Sequence, residues 1–453
     1  MNKIDFSTKR IDWAIVLISA MLMVFVVNLP FKANRFGDIT FHEESRNLAL
    51  FIKGEVAADK VVITRAPGPL LFYTPAYLLA PVDATDDQLW VYGVVCTVMI
   101  LVVSLLLIFR IGAIFFSKEV GLLTVLLFFG FPIHCYYALG ILAEIPAFFS
   151  LTVGIYGWCI AFTEPQKKVG WFLLTFGLWL LILNRPNTIL ILGVLVLVIG
   201  YSFFKNKLFY EKYGRNLGIT FISVLILGVG TFRIVNTING TKVNDSQESL
   251  FYSVALQGRF QFREEPADLR FWESDNRPDS KDYQNWIRCG RELDESISTT
   301  SLPFIEVYRN FILNDMVAHP LYTARQIVVR AFYGHINIIS KVQPQQFKMG
   351  PFRGAVAFWS FILLINSINL LVLVGVSIFF IKERKWIQYW IFWGIWIGLV
   401  VFHSIVYMEP RYIFPAKVAL YIMSAAGLYR IPLIRKIMDK ISVPIFPLSG
   451  VGK

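Results

Sequence analysis

The chain contains no Walker loop, no glycine-rich dinucleotide fingerprint, no HExxH and no GxSxG. Their absence removes the usual forms of nucleotide hydrolysis, dinucleotide redox chemistry, zinc proteolysis and α/β-hydrolase acyl transfer. Cysteine and histidine are scarce, with four and five copies among 453 residues. So few thiols exclude a disulfide framework; Cys96 and Cys159 sit in expected spans, while Cys135 and Cys289 both fall on the outer side, where the alternatives are two unpaired thiols or a single disulfide. No His/Cys/Asp/Glu pair has the spacing of a metal site, so no cofactor is required, although His42, Glu43 and Glu44 are compatible with a divalent ion. Charged residues make up only 16%.

Apolar residues are abundant instead. They reach 56%, and aromatic residues alone reach 16%, far more than a soluble core of this length needs. The expected fold is an all-α polytopic membrane protein. Residues 11–30 run about one bilayer span and end at Pro30 without a small-residue cleavage site, which reads as a retained helix rather than a signal peptide. Further spans are expected at 88–109, 117–133, 138–162, 170–183, 188–204, 216–235, 354–381, 386–405 and 411–430, ten in all. Seven precede a long polar segment and three follow it, too unequal for an obvious inverted-repeat transporter. Three regions result: 1–235, an N-terminal transmembrane module; 236–353, an extracytoplasmic loop domain; and 354–453, a C-terminal module with a basic tail.

Charge sets the orientation. With both termini cytoplasmic, the cytoplasmic segments carry 19 basic against 6 acidic residues, or +13, and everything else carries 24 against 25, or −1. The net charge of +12 is therefore a positive-inside signature, and no nucleic-acid partner is implied. The expected location is the inner or plasma membrane, with the loops 31–87 and 236–353 outside.

Ionisable residues near spans are few and informative, because a charge at membrane depth needs a partner or a task. The first outer loop carries Asp38, Glu43 and Glu44 at the start of an interfacial helix over 42–53. Asp38 there is either a helix cap or a group turned to the bilayer surface. On a helix Glu43 and Glu44 point about 100° apart. Next, "TRAPGPLLFYTPAYLLAP" breaks the helix at Pro67–Pro69 and returns Arg65 to the membrane, where a guanidinium seeks an anion. Glu144 in "LAEIP", Arg185 in "NRPN", and Glu409, Arg411 and Tyr412 in "YMEPRYIFPA" fall at the same boundary. The last stretch is either part of a lipid-phosphate site or a tight turn holding a local ion pair. In the long segment, Phe251, Tyr252, Phe260, Phe262, Phe271, Trp272, Tyr283 and Trp286 are enough for it to order against the membrane domain.

The ordered set of an acidic first loop with "EESR" (43–46), "RAPGPLLFY", "LAEIP", "NRPN", "AHPLYTARQIVVRAF" (318–332) and "EPRYIFP" (409–415) resembles the GT-C superfamily of membrane glycosyltransferases. It is most similar to the branch of protein O-mannosyltransferases and the lipid A aminoarabinose transferase. That resemblance implies transfer of a sugar from a polyprenyl-phosphate donor to an acceptor hydroxyl on a lipid, glycan or protein at the extracytoplasmic face. It casts Asp38 as general base, with Glu43 and Glu44 as the other candidates. Arg65, Arg185 and Arg411 are cast as phosphate ligands, Glu409 as the group orienting Arg411, Tyr412 as an interfacial hydrogen bonder, and Glu144 as a further site residue. The family's usual Asp-Glu pair is not present as such. An O-antigen polymerase or ligase, or a polytopic transporter, are the rival functions; the first would draw its arginines from the long loop, the second would bury charges at the midplane.

Overall fold

A computed structural model describes residues 12–21, 37–131, 134, 137–239, 243–264, 280–300, 302–335, 351–383, 386–408 and 410–445. Among these the chain is helical, with one isolated bridge, Gly37 to Ile141. In order come α1 (Asp12–Met21), α2 (Ile39–Ile52), α3 (Gly68–Leu78), α4 (Asp86–Phe115), α5 (Lys118–Phe129), α6 (Glu144–Thr163), α7 (Lys168–Asn184), α8 (Leu190–Lys205) and α9 (Arg215–Asn239). Then follow α10 (Val243–Phe260), α11 (Lys281–Thr300), α12 (Phe304–Ala318), α13 (Pro320–Tyr333), α14 (Pro351–Lys382), α15 (Trp390–Val406), α16 (Lys417–Leu428) and α17 (Pro432–Ile445).

Among the described residues five helical stretches are long and apolar enough to cross a bilayer: Asp86–Phe115, Glu144–Thr163, Pro186–Lys205, Lys207–Thr237 and Ile387–Val406. A sixth is added if Tyr412–Leu428 and Pro432–Ile441, which meet at 105°, count as one broken span. This is a polytopic membrane protein; among the described residues five of the ten expected spans pass as full-length apolar spans, and the expected span 354–381 lies within the 32-residue α14. Others are shorter apolar helices, among them α1 and α7, and the first expected span continues into residues outside the described ones. The expected span 117–133 becomes α5, whose 12 residues end at Phe129 with Gly130 as the cap. At 1.5 Å per residue it covers about 18 Å, short of a hydrocarbon core of about 30 Å.

Local rules account for the long helices. The apolar run of α4 is preceded by a capping box in which Thr85 and Gln88 bond each other's backbone amides, with Asp86 and Asp87 in the first turn, so the helix starts before the apolar stretch does. At the centre, α6 packs along α7 and buries Phe148, Leu151, Ile155 and Trp158 completely. Neither helix has a polar face, as expected for helices enclosed by others rather than by water.

The described helices of 236–353 dock against the C-terminal end of α15. Arg330 of α13 is 1% exposed and donates to the carbonyls of Ser404 (3.1 Å), Ile405 (3.0 Å) and Gly258, satisfying carbonyls that the end of a helix leaves without amides. Gln261 exchanges two bonds with the Met408 backbone, at 2.8 and 3.1 Å. Arg259 pairs with Asp315 at 2.6 Å and with Thr323 at 3.0 Å. Asp282 accepts the amides of Arg263 and Glu264. Cys289 is a free thiol, and Cys135 lies outside the described residues.

Candidate functional site

Backbone contacts, more than side chains, gather the site. Gly37 adopts φ +149°, and a Cβ there would stand 2.6 Å from the Ile141 carbonyl oxygen, so only glycine permits the bridge to Ile141. The amide of Asp38 then donates to Ile141 O at 2.9 Å. On the next residue, Tyr73 Oη donates to Leu142 O at 2.6 Å and accepts from Leu142 N at 2.9 Å. Glu144, two positions further, opens α6. This anchored turn therefore carries Asp38 and Glu144 on its two flanks.

Asp38 is the cap of α2: its Oδ1 accepts the Thr40 amide at 3.0 Å. Its Oδ2 stands 3.8 Å from the Arg65 guanidinium. Of the two alternatives raised by the sequence the helix cap is observed, and the second oxygen of the same carboxylate faces a cation. Glu43 and Glu44 diverge. Glu43 is exposed. Glu44 is buried and holds the incoming strand of chain, its Oε1 accepting from Thr64 N (2.6 Å), Thr64 Oγ1 (2.6 Å) and Arg65 N (3.2 Å). Burial raises its carboxyl above the ordinary 4.5, while the Thr64 and Arg65 bonds oppose that rise.

After Arg65, Pro67 and Gly68 start α3 against the end of α7. A Cβ on Gly68 would lie 2.4 Å from the Asn184 amide. That approach brings the Arg65 segment to the residue before Arg185. Arg185 ends α7 and pairs with Glu144, both side chains largely enclosed at 16% and 3% exposure. Its guanidinium also lies 5.3 Å over the Tyr412 ring, within cation–π range. Tyr412 in turn lies 4.9 Å from His403, whose Nε2 meets Asn187 Nδ2 at 2.8 Å. Glu409 and the side chain of Arg411 lie outside the described residues, so the expected Glu409–Arg411 pair is not described.

Asp38, Arg65, Glu144, Arg185 and Tyr412 are therefore gathered at one end of the helices. Within this cluster Glu44 Oε2, Arg185 Nε and Asn187 Oδ1 are buried and have no hydrogen-bond partner, although buried polar atoms are normally bonded. Among the described residues no three His, Cys, Asp or Glu side chains stand close enough together to hold a metal ion. Sequence reading passed over Asn187 and His403, which join "NRPN" to the 407–416 hairpin. It also passed over Lys417, a cation inside the last expected span and so a visible signal.

No family model and no curated protein matches the chain. In fold it is similar to the solved archaeal oligosaccharyltransferase AglB from Archaeoglobus fulgidus, a structure in complex with an inhibitory peptide and a dolichol-phosphate, at a TM-score of 0.51 and 10% identity. The match covers 99% of this chain and 53% of that one, so the chain spans about half the length of that neighbour. The shared property is the fold.

Proposed function

We propose that this protein is a GT-C-type membrane glycosyltransferase that moves a sugar from a polyprenyl-phosphate donor to an acceptor hydroxyl at the extracytoplasmic face. The observation carrying this reading is the convergence of Asp38–Arg65 and Glu144–Arg185–Tyr412 at one end of the bundle. Fold similarity to an enzyme solved with a dolichol-phosphate supports it.

The chemistry follows from the groups present. A lipid-phosphate sugar already carries its leaving group, so the enzyme must align an acceptor, take its proton and neutralise the departing phosphate. Asp38 Oδ1 is occupied by the Thr40 amide, which leaves Oδ2 to accept the hydroxyl proton. As the acceptor oxygen bonds to the anomeric carbon, the bond from that carbon to the phosphate oxygen breaks. The charge gained by the polyprenyl phosphate falls to the guanidiniums of Arg65 and Arg185, whose forks match two phosphate oxygens. Glu144 aims Arg185, and Glu44 fixes the backbone that presents Arg65. The described helices of 236–353 dock beside the hairpin that carries Tyr412.

The test is transfer by the purified full-length protein in proteoliposomes, using a panel of polyprenyl-phosphate-linked sugars with lipid, glycan and peptide acceptors. Transfer with at least one pair, lost in Arg185→Met, is expected. Failure of every such donor to bind or react, alongside uptake of a solute into the vesicles, would replace this reading with a transporter.

A further inference from the structure

A cation without a counter-charge stands inside the bundle, beyond the cluster just described. Lys417 opens α16 and is 3% exposed. Its ammonium makes no hydrogen bond and no ion pair with any described residue. An unpaired buried ammonium is costly, and in a membrane protein such a residue persists for a partner or a task.

Its surroundings narrow the partner. Phe414, three residues before it, has its ring 5.0 Å from that of His134, and the hydroxyl of Tyr421, four residues after it, lies 2.6 Å from His134 Nε2. Residues three and four apart share a helix face, so Lys417 rises beside the same imidazole. His134 is 1% exposed, and its Nδ1 is buried without a partner. The Tyr421 hydroxyl has no other acceptor among the described residues, so we assign it as the donor to Nε2, which puts the imidazole proton on Nδ1. The ammonium and this N–H thus stand together with no acceptor among the described residues. His335, the other ring within reach of the Lys417 charge, offers none: one nitrogen meets the Ala331 carbonyl at 2.7 Å and the other accepts from Trp396 at 2.8 Å. Phe131 and Phe128 wall the imidazole at 4.7 and 4.9 Å.

We propose that Lys417 Nζ and His134 Nδ1 form a second anion subsite that binds a phosphate group, carried on a polyprenyl chain or free. A phosphate presents several strong acceptor oxygens to donors arriving from different directions, and the aromatic walls suit an attached prenyl chain. The lipid-borne form rests on the donor class proposed above.

The test uses the full-length protein in detergent, with decaprenyl phosphate, inorganic phosphate and decaprenol as probes, read by native mass spectrometry and ³¹P NMR. Decaprenyl phosphate is expected to bind the wild type, to bind Lys417→Met at least about tenfold more weakly, and to bind Lys417→Arg nearly as well as wild type. Decaprenol should not discriminate among them. The ligand-free Lys417→Met protein should melt no lower than wild type, because an apolar chain replaces a buried unpaired charge. Inorganic phosphate binding that depends on Lys417, without decaprenyl phosphate binding, supports the subsite and removes the lipid donor. Equal binding of decaprenyl phosphate by wild type and Lys417→Met overturns the subsite and leaves the donor reading standing. Should Lys417→Met fail to accumulate, His134→Phe decides: unchanged phosphate binding in that variant overturns the proposal.

Discussion

Replacing Asp38 by asparagine separates chemistry from folding, because the structure gives its two oxygens different work. Oδ1 caps α2 through the Thr40 amide, and asparagine caps about as well as aspartate. Oδ2 faces Arg65 at 3.8 Å, with the two side chains 29% and 34% exposed, an arrangement contributing between zero and about 1 kcal/mol. Asp38→Asn should therefore lower unfolding stability by about 1 kcal/mol at most. A positioned base contributes at least about 10²-fold, or about 2.7 kcal/mol of barrier, so transfer should fall at least a hundredfold while protein level and donor binding persist. Asp38→Ala loses the cap as well, at a further cost of about 1 kcal/mol in stability, with no greater loss of rate. Single-turnover transfer and thermal unfolding, measured on the same preparations, compare the two variants. If Asp38→Asn transfers sugar at a rate near wild type while Glu44→Gln is inactive, the base is Glu44 and the reasoning from the Asp38 oxygens is wrong.

Three further outcomes follow from the same geometry. Arg185→Met strands the buried Glu144 carboxylate and should cost about 3–5 kcal/mol, whereas the double replacement Glu144→Leu/Arg185→Met should recover most of that stability and none of the activity; additive losses in the double variant would refute the pairing. Arg330→Met leaves three carbonyls without their donor and should cost about 3–5 kcal/mol by thermal unfolding, and Arg330→Lys, a point donor in place of a fork, should recover only part of it. Glu44 has its folded pKa raised above 4.5 by burial, so its contribution to stability is complete below 4.5 and declines as pH rises through the raised value. The melting advantage of wild type over Glu44→Gln should accordingly be larger at about pH 4 than at about pH 7, and an advantage that grows with pH would contradict the assigned shift.

How far the sequence revealed this arrangement varied with the range of the interaction. The helices of 88–109, 188–204 and 386–405 were legible because an apolar run of span length is a local property. Helix starts were less so: α4 begins at Asp86, two residues before its apolar run, because capping draws polar residues into the first turn. The expected span over 138–162 begins only at Glu144, since residues 141 and 142 leave the helix to receive Gly37 and Tyr73. Nothing in the local pattern of "ALGILAE" announces contacts made across about a hundred residues of chain. Likewise Glu44 and Glu43 are equivalent in the sequence and opposite in the fold, one holding Thr64 and the other exposed.

The site's rigidity comes from the way its side chains are delivered. Asp38 is fixed by a backbone bond to Ile141, Arg65 by two backbone amides on Glu44, and Arg185 by the close approach of Gly68 to the end of α7. Each functional group thus inherits the position of a helix end rather than of a free loop, and sites so built hold their geometry more closely. Tyr412 is carried differently, on the hairpin after α15, and that hairpin is tied through Met408 to Gln261 of the long segment. The described helices of the long segment are therefore linked to the hairpin that carries the ring beneath Arg185. Under the proposed reaction this linkage divides the cluster in two: Asp38, Arg65 and Glu144, held by contacts among the N-terminal helices, serve proton transfer and phosphate binding, while Tyr412 couples Arg185 to the described helices of 236–353.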